Sequence, residues 1–268
     1  VPQTFEKQYP GIKGKYIRFK SFDEIELSCY LTYSCLDSAK GTVILLHGIR
    51  SNKECFIDLA SKLAEKGYNS VALDSRAHGQ SEGVHCTFGV KEKKDVSALI
   101  NVLTHQLLNK GKTSKNIGVW GQSLGGAVAL QVLGSDKRIK FGVIESTFSD
   151  FKTITKDYFN YHLGLSVQPT IKYLIYRAGV IADFKPSEAT PIQSCKNIHQ
   201  PILLVHGSLD KRIDIKYAKA NFARIASKNK QLIVVKNANH LNVWKIGGDE
   251  YFEKVYAFIE STSMTKDK

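Results

Sequence analysis

Six short runs of uninterrupted apolar residues recur along this chain and limit the folds that are open to it. They lie at residues 43–46, 71–73, 117–120, 141–144, 202–205 and 232–235. A strand that is covered on both faces is apolar throughout, whereas a half-exposed strand alternates apolar and polar residues. The runs therefore predict the parallel strands of a buried sheet.

Helical patterns lie between these runs. Apolar residues recur every three to four positions within 56–66, 96–107, 217–226 and 251–259, as they do along one face of a helix. Strands that alternate with helices are typical of an α/β fold with a mostly parallel, doubly wound sheet. By contrast, residues 16–20 and 25–31 alternate apolar and polar residues around a turn, and they predict an N-terminal antiparallel hairpin.

One stretch interrupts the alternation of strands and helices. Residues 149–188 add more chain than a single crossover needs, and they are rich in Phe and Tyr. Long insertions often form lids or binding elements, although these aromatic side chains could equally anchor the insertion to the core. We predict one domain over residues 1–268, with a small, mainly helical cap at 149–188.

The pattern Gly-x-Ser-x-Gly occurs twice, at residues 79–83 and 121–125. In a nucleophile elbow, a sharp turn between a strand and a helix exposes the serine, and small residues two positions away relieve crowding. An apolar run precedes residues 121–125 and a helical run of small residues follows them, whereas polar, loop-like residues flank 79–83. This context predicts that Ser123 is a nucleophile and that Ser81 is a loop residue.

A serine nucleophile needs a base that takes its proton and an acid that orients the base. After an elbow of this kind the partners follow in the order Asp or Glu, then His. Asp210 follows the apolar run 202–205, and His240 follows the run 232–235. Both are therefore expected at the carboxyl ends of parallel strands, where open α/β sheets bind their ligands. We predict a catalytic triad of Ser123, Asp210 and His240.

Four other side chains compete for these roles. Glu145 also follows a predicted strand and remains an alternative acid. Asp214 opens the next helical pattern, where capping the helix is the simpler interpretation. His47 and His206 each precede a glycine at a strand end, and hydrogen bonds that shape these loops are the expected role of both.

Two backbone amides are expected to receive the oxyanion that forms when a serine attacks a carbonyl. One belongs to Leu124, the residue after the nucleophile. The other should come from the loop that follows the first apolar run, where Ile49 is the predicted donor and Arg50 the alternative.

The charge and cysteine content of the chain limit which kinds of partner and metal it is expected to bind. The net charge is +13, but the basic residues are mostly lysines spread along the chain, whereas nucleic-acid readers concentrate them on one face. We therefore predict no nucleic-acid partner, and peripheral contact with a membrane stays open. The five cysteines form no Cys-x-x-Cys pair or metal spacing, so we predict no metal site.

The sequence gives only weak indications of where in the cell the protein is located. No apolar run approaches the length that crosses a bilayer, which predicts a soluble domain. The odd number of cysteines favours a reducing compartment such as the cytoplasm. The chain begins at Val1 rather than at a methionine, so the removal of an N-terminal leader or anchor stays open.

Five motifs together resemble the α/β-hydrolase superfamily, in its branch of small esterases, lysophospholipase-like enzymes and serine-aminopeptidase-like proteins. They are His47-Gly48, residues 74–81, residues 121–126, residues 206–210 and Asn239-His240. The resemblance runs from about residue 41 to 260 and implies the α/β-hydrolase fold. It also implies that residues 74–81 form a conformational loop beside the site, in which Ala77 stands where relatives commonly have glycine.

The predicted reaction follows from the triad and the resemblance. We expect a serine hydrolase, lipase-like in its machinery, that cleaves a small-molecule acyl ester through an acyl-enzyme without a metal or organic cofactor. Hydrolysis of a thioester, an amide or a peptide, and acyl transfer, use the same triad and remain open. The alternative from a different class is a non-catalytic protein that binds a ligand on this fold. The sequence does not indicate an oligomeric state.

Overall fold

The computed structural model of the protein describes residues 11–108, 116–164 and 168–263. Within these ranges eight strands form one sheet. The strands are β1 (Gly14–Lys20), β2 (Glu26–Thr32), β3 (Gly41–Leu46), β4 (Tyr68–Leu73), β5 (Ile117–Gln122), β6 (Ile139–Glu145), β7 (Ile202–Gly207) and β8 (Lys230–Val235).

The strand order is β1-β2-β4-β3-β5-β6-β7-β8. Strands β3 to β8 pair in parallel, and each contains one of the predicted apolar runs. Strands β1 and β2 pair antiparallel, with Ile17 opposite Cys29, and β2 joins the sheet antiparallel to β4. The predicted hairpin and the mostly parallel sheet are both confirmed.

Helices cover both faces of the sheet. The α-helices of the described ranges are α1 (Ile57–Glu65), α2 (Glu92–Leu108), α3 (Leu124–Ser135), α4 (Phe151–Leu163), α5 (Gln168–Ile181), α6 (Pro191–Cys195), α7 (Ile215–Arg224) and α8 (Val243–Ser263). Alternate residues of β3 belong to different apolar layers: Ile44 packs in the layer that contains α2 and α3, and Leu45 in the layer that contains α1 and α8. Burial on both faces explains why this strand is apolar at every position from 43 to 46.

Helix α2 begins four residues earlier than the predicted 96–107, and two later helices also differ from their predicted bounds. Helix α7 begins two residues earlier than predicted because the Asp214 side chain caps it and accepts a hydrogen bond from the Lys216 amide at 2.7 Å. Helix α8 begins eight residues earlier than the predicted 251–259 and contains a kink at Gly248. The backbone there has φ 52°, a conformation that glycine adopts without steric cost.

The chain between β6 and β7 is mainly helical and forms α4, α5, a 3₁₀ turn at Pro186–Glu188, and α6. The Asp150 carboxylate caps α4 by accepting from the Thr153 amide at 2.8 Å. These elements include the predicted cap at 149–188, of which positions 165–167 lie outside the described residues. Whether this segment acts as a cap stays a prediction.

None of the helices in the described ranges combines the length and the apolar character that crossing a bilayer requires.

Candidate active site

Ser123 occupies a sharp turn between β5 and α3. Its backbone has φ 53° and ψ −114°, in a region that L-residues other than glycine rarely adopt. The Ser123 amide donates to the Glu145 carbonyl at 2.9 Å, and the Ser123 carbonyl accepts from the Thr147 hydroxyl at 2.8 Å. The neighbouring strand and the residues after it therefore hold the serine in its strained conformation.

The glycines of the pentapeptide are required by close backbone contacts. A Cβ atom on Gly121 would overlap the Gly125 carbonyl, and one on Gly125 would overlap the Leu46 carbonyl at the end of β3. Because neither backbone neighbour can move without shifting a strand or helix, only glycine fits these two positions. This close packing is the physical basis of the Gly-x-Ser-x-Gly pattern here.

The structure brings Ser123, His240 and Asp210 into one hydrogen-bonded chain. The distance from His240 Nε2 to Ser123 Oγ is 3.1 Å, and that from His240 Nδ1 to Asp210 Oδ2 is 2.7 Å. The Asp210 side chain is fully buried, and its other oxygen accepts from the amides of Arg212 at 3.0 Å and Ile213 at 2.9 Å. A carboxylate that only accepts fixes the proton on Nδ1 and leaves Nε2 as the acceptor for the serine hydroxyl.

The loops that carry Asp210 and His240 are bound to each other. The Leu209 amide donates to the Ala238 carbonyl at 2.8 Å, and the Asn237 amide donates to the Ser208 hydroxyl at 2.9 Å. Because these loops follow adjacent parallel strands, their hydrogen bonds keep the carboxylate and the imidazole at a fixed separation.

His206 lies beside Asp210 but does not reach Ser123. Its Nε2 atom is 2.7 Å from the Ile213 carbonyl and 3.5 Å from Asp210 Oδ2. Burial lowers the pKa of His206, so the ring is neutral and donates from Nε2 to the carbonyl. As expected from the sequence, this histidine shapes the loop.

The predicted oxyanion loop packs directly against Ser123. A Cβ atom on Gly48 would lie 3.4 Å from Ser123 Cβ. His47 fixes this loop: its Nδ1 atom donates to the Gly48 carbonyl at 2.7 Å, and its Nε2 atom accepts from the Ser75 amide at 3.1 Å. Burial lowers the pKa of His47 to about 4, so the ring stays neutral and keeps both roles at neutral pH.

Leu124 is the first residue of α3. Its N–H has no partner within the helix, because the first four amides of any helix lack an intrahelical acceptor. The Ile49 side chain is half exposed, so Ile49 would contribute to the site through its backbone rather than through a buried side chain.

A buried ion pair, which the sequence did not reveal, supports the same loop. Lys53 and Asp74 are both almost fully buried, and the Lys53 ammonium and amide both donate to the Asp74 carboxylate. The Gln80 amide donates to the same carboxylate at 2.8 Å. The pair joins the loops after β3 and β4. Lys53 lies 21 positions before Asp74. No local sequence pattern connects residues that far apart, so the ion pair could not be predicted from the sequence.

Glu145, the alternative acid, bonds to a different set of side chains from Asp210. Its carboxylate accepts from Trp120 Nε1 at 2.9 Å, Gln122 Nε2 at 2.7 Å, Trp244 Nε1 at 2.9 Å and the Tyr251 hydroxyl. Burial raises the pKa of Glu145, and these hydrogen bonds oppose the rise. His240 is hydrogen-bonded to Asp210, and Glu145 instead anchors the two tryptophans.

A cavity of about 290 Å³ opens beside Ser123 and His240. Its other lining residues are Gly48, Ile49, Ser51, Cys55, Gln122, Glu145, Ser146, Arg212, Leu241, Val243 and Trp244. A larger cavity, of about 630 Å³, lies between β1 and α2 and contains none of the predicted site residues. The smaller cavity is the one that fits the predicted chemistry.

Ser81, the serine of the second pentapeptide, lies in a loop as predicted. Its hydroxyl donates to the Asp74 carbonyl at 2.6 Å and accepts from the Ser28 amide at 2.9 Å. In the same loop Ala77 has φ 61°, a conformation that glycine adopts more readily. The segment 74–81 therefore joins β2 and β4 structurally.

Comparisons with known proteins agree with this architecture. The family model described as Hydrolase_4, serine aminopeptidase, S33, matches residues 37–152. "Uncharacterized protein YfhR" of Escherichia coli (strain K12) is 28% identical over 228 residues, which span 84% of this chain and 72% of YfhR.

Two solved structures have the same fold. The Pyrococcus furiosus esterase Pf2001 has a TM-score of 0.79 and 25% identity, over 97% of this chain and 95% of that chain.

The Pyrococcus horikoshii acylaminoacyl peptidase has a TM-score of 0.71 and 19% identity, over 98% of this chain and 44% of that chain. One of these structures is an esterase and the other a peptidase. The peptidase, at 19% identity, shows the fold alone, whereas the esterase and the family match support hydrolase activity.

Proposed function

We propose that this chain, a member of the α/β-hydrolase superfamily, hydrolyses a small carboxylic ester through an acyl-enzyme formed on Ser123. The observation that carries the proposal is the continuous hydrogen-bonded chain from Ser123 Oγ through His240 to Asp210, beside a cavity large enough for a small substrate. The likeness to an esterase over nearly the whole of both chains supports the same reaction class.

In the first half of the proposed reaction, Ser123 Oγ attacks the ester carbonyl while His240 Nε2 takes the hydroxyl proton. Asp210 stabilises the imidazolium that results and keeps the ring oriented. The amides of Ile49 and Leu124 donate to the oxyanion, whose charge is then stabilised by donors already in place. His240 returns the proton to the alcohol as the ester bond breaks.

In the second half, His240 takes a proton from a water molecule, and the hydroxide attacks the acyl-Ser123 carbonyl. The same two amides bind the second oxyanion. Collapse of this intermediate releases the acid and returns the proton to Ser123. Every proton in the cycle moves through His240 Nε2, the atom that lies 3.1 Å from the serine oxygen.

The lining of the cavity favours an ester over a substrate with a free α-amine. An aminopeptidase needs a carboxylate to bind the substrate's ammonium group. The carboxylate that lines this cavity, Glu145, already accepts from four side chains, and Arg212 adds a positive charge. Thioester hydrolysis and acyl transfer use the same atoms and differ only in the leaving group or the final acceptor.

We also propose that residues 149–188 act as a cap within a single domain over 1–268 and select the substrate. Ile154 of α4 belongs to the same apolar cluster as Leu124, the residue after the nucleophile. The insertion therefore packs beside the elbow, where it can limit the size of the acyl group.

The two serines of the duplicated pentapeptide provide a matched test. We expect Ser123→Ala to lower kcat for p-nitrophenyl butyrate by ~10⁶-fold, and Ser81→Ala to stay within a few fold of wild type when circular dichroism shows that both variants are folded. A fluorophosphonate probe should label the wild type and Ser81→Ala but not Ser123→Ala. Equal turnover by Ser123→Ala and wild type would overturn the proposal.

Two further measurements separate the alternatives. Aminoacyl p-nitroanilides that turn over faster than p-nitrophenyl esters would identify a peptidase instead of an esterase. A folded wild-type protein that neither turns over any acyl substrate nor reacts with the probe would identify a non-catalytic ligand-binding protein.

A further inference from the structure

Helix α5 presents large apolar side chains to solvent along one face. Its exposed positions of this kind are Tyr173, Leu174, Tyr176, Val180 and Ile181, each between 39% and 64% exposed. At 100° per residue, Tyr173 and Val180 lie at the centre of the outward face, with Tyr176 on one side and Leu174 and Ile181 on the other. Single exposed apolar residues are common, whereas a contiguous row of this kind marks an interaction site.

The opposite face of α5 already holds the helix in the fold. Ile171 is buried, and Ile175 and Ala178 pack against a cluster that contains Phe151 and Ala189. The outward face is therefore not needed for packing within the described part of the chain. A helix that is apolar on both sides is normally buried on both sides, but no part of the chain within residues 11–108, 116–164 and 168–263 buries the outward face of α5.

The charges of this face identify what would cover it. Helix α5 contains Lys172 and Arg177 and no acidic residue. The acidic residues that flank it are paired: Asp157 with Lys216 at 2.6 Å and Asp183 with Lys91 at 3.1 Å. The whole chain carries a net charge of +13.

A second copy of the chain would place Lys172 and Arg177 near the same cations of its partner with no carboxylate of α5 between them. Such like-charge contact disfavours self-association through this face. An anionic surface instead complements both the apolar row and the cations. Tyrosine rings and long basic side chains suit the boundary between lipid headgroups and acyl chains, since each has an apolar body and a polar end.

We propose that α5 is a membrane-surface helix through which this protein binds anionic lipid bilayers. The helix lies in the plane of the interface, with Tyr173 and Val180 inserted among the headgroups and Arg177 near lipid phosphates. Because α4 and α5 follow β6, and Ile154 of α4 packs in the cluster of Leu124, the bound surface lies at the edge of the sheet that carries Ser123.

The test is co-sedimentation of the full chain with vesicles of phosphatidylcholine alone or mixed with phosphatidylserine, at low and high salt. We expect wild type to pellet with the anionic vesicles at low salt and to be released at high salt. Tyr173→Ser/Val180→Ser should weaken the partition coefficient at least about tenfold, and Arg177→Gln about fivefold. The matched control is Val84→Ser, which replaces a valine in a loop that is 82% exposed and should bind as wild type.

Binding is measured separately from catalysis. Ser123→Ala should pellet as wild type, and far-ultraviolet circular dichroism and the melting temperature should show that Tyr173→Ser/Val180→Ser is folded as wild type. Equal pelleting with neutral and anionic vesicles, or equal loss in Val84→Ser, would overturn the proposal. So would sedimentation velocity that shows a dimer converted to monomer by Tyr173→Ser/Val180→Ser while vesicle binding stays unchanged.

Discussion

Replacing Glu145 by glutamine should destabilise the protein substantially, although the two side chains have nearly the same shape. The Glu145 carboxylate accepts from four side chains, on Trp120, Gln122, Trp244 and Tyr251. Glutamine has one acceptor oxygen, and its NH₂ group would point at donors. Because glutamine is neutral, all four donors would lose a charged acceptor, and about one of them would face the NH₂ group instead of an oxygen.

The size of the effect follows from these contacts. A hydrogen bond to a charged group contributes roughly 1.5–3 kcal/mol and a neutral one roughly 0.5–1.5 kcal/mol, so one lost bond and three weakened bonds cost about 4–6 kcal/mol. A neutral amide costs less free energy to bury than a carboxylate, which offsets part of the loss. We therefore expect Glu145→Gln to lower the free energy of unfolding by about 2–4 kcal/mol.

Urea denaturation followed by far-ultraviolet circular dichroism measures this change. With an m-value of roughly 2–3 kcal/mol/M, the midpoint should fall by about 1 M. Both tryptophans of the chain bond to Glu145, so the native fluorescence spectrum should shift as well. The matched control is Glu250→Gln, because Glu250 is an exposed residue of the same helix as Tyr251 and should not change the midpoint. A midpoint for Glu145→Gln equal to that of Glu250→Gln would refute the reasoning.

Three further predictions concern the site. Ile49→Ala should keep kcat within a few fold, whereas Ile49→Pro, which removes the amide proton, should lower kcat by roughly 10²–10³-fold; equal rates for the two would exclude this amide as an oxyanion donor. Asp210→Asn should lower kcat by ~10⁴-fold with little change in KM, measured with p-nitrophenyl butyrate, and an unchanged kcat would exclude Asp210 as the acid. His47 has a folded pKa of about 4 against 6.5 in the unfolded chain, so below pH 6.5 the unfolded state binds the extra proton and stability falls as pH drops towards 4. The melting temperature of His47→Gln should accordingly fall less between pH 7 and pH 5 than that of wild type, and equal slopes would contradict the assignment.

The strands and the order of the site residues could be predicted because local sequence determines them. A strand such as β3 that is buried on both faces must be apolar at each position. The strand before Ser123 and the small residues after it distinguish the elbow from the pentapeptide that contains Ser81. Asp210 and His240 follow strand ends, and parallel strands bring their ends to one edge.

The contacts that support the site could not be predicted in the same way. The Lys53–Asp74 pair and the bond from Trp244 to Glu145 join residues that are 21 and 99 positions apart. No periodicity connects such positions, and the partner of a buried charge is determined by how the loops and helices pack. The position of Glu145 at a strand end suggested an acid in the triad. The indole and phenol groups that donate to it could be identified only from the folded structure.

The strained turn at Ser123 has a consequence for synthesis of the chain. The hydrogen bonds to the backbone of Ser123 come from Glu145 and Thr147, and the histidine that contacts its hydroxyl lies 117 positions downstream. The proposed nucleophile is therefore made long before the histidine that would activate it. A nascent chain that has released Ser123 but not yet His240 would be unreactive towards acyl groups, and the proposed activity would arise only once the loop after β8 is in place.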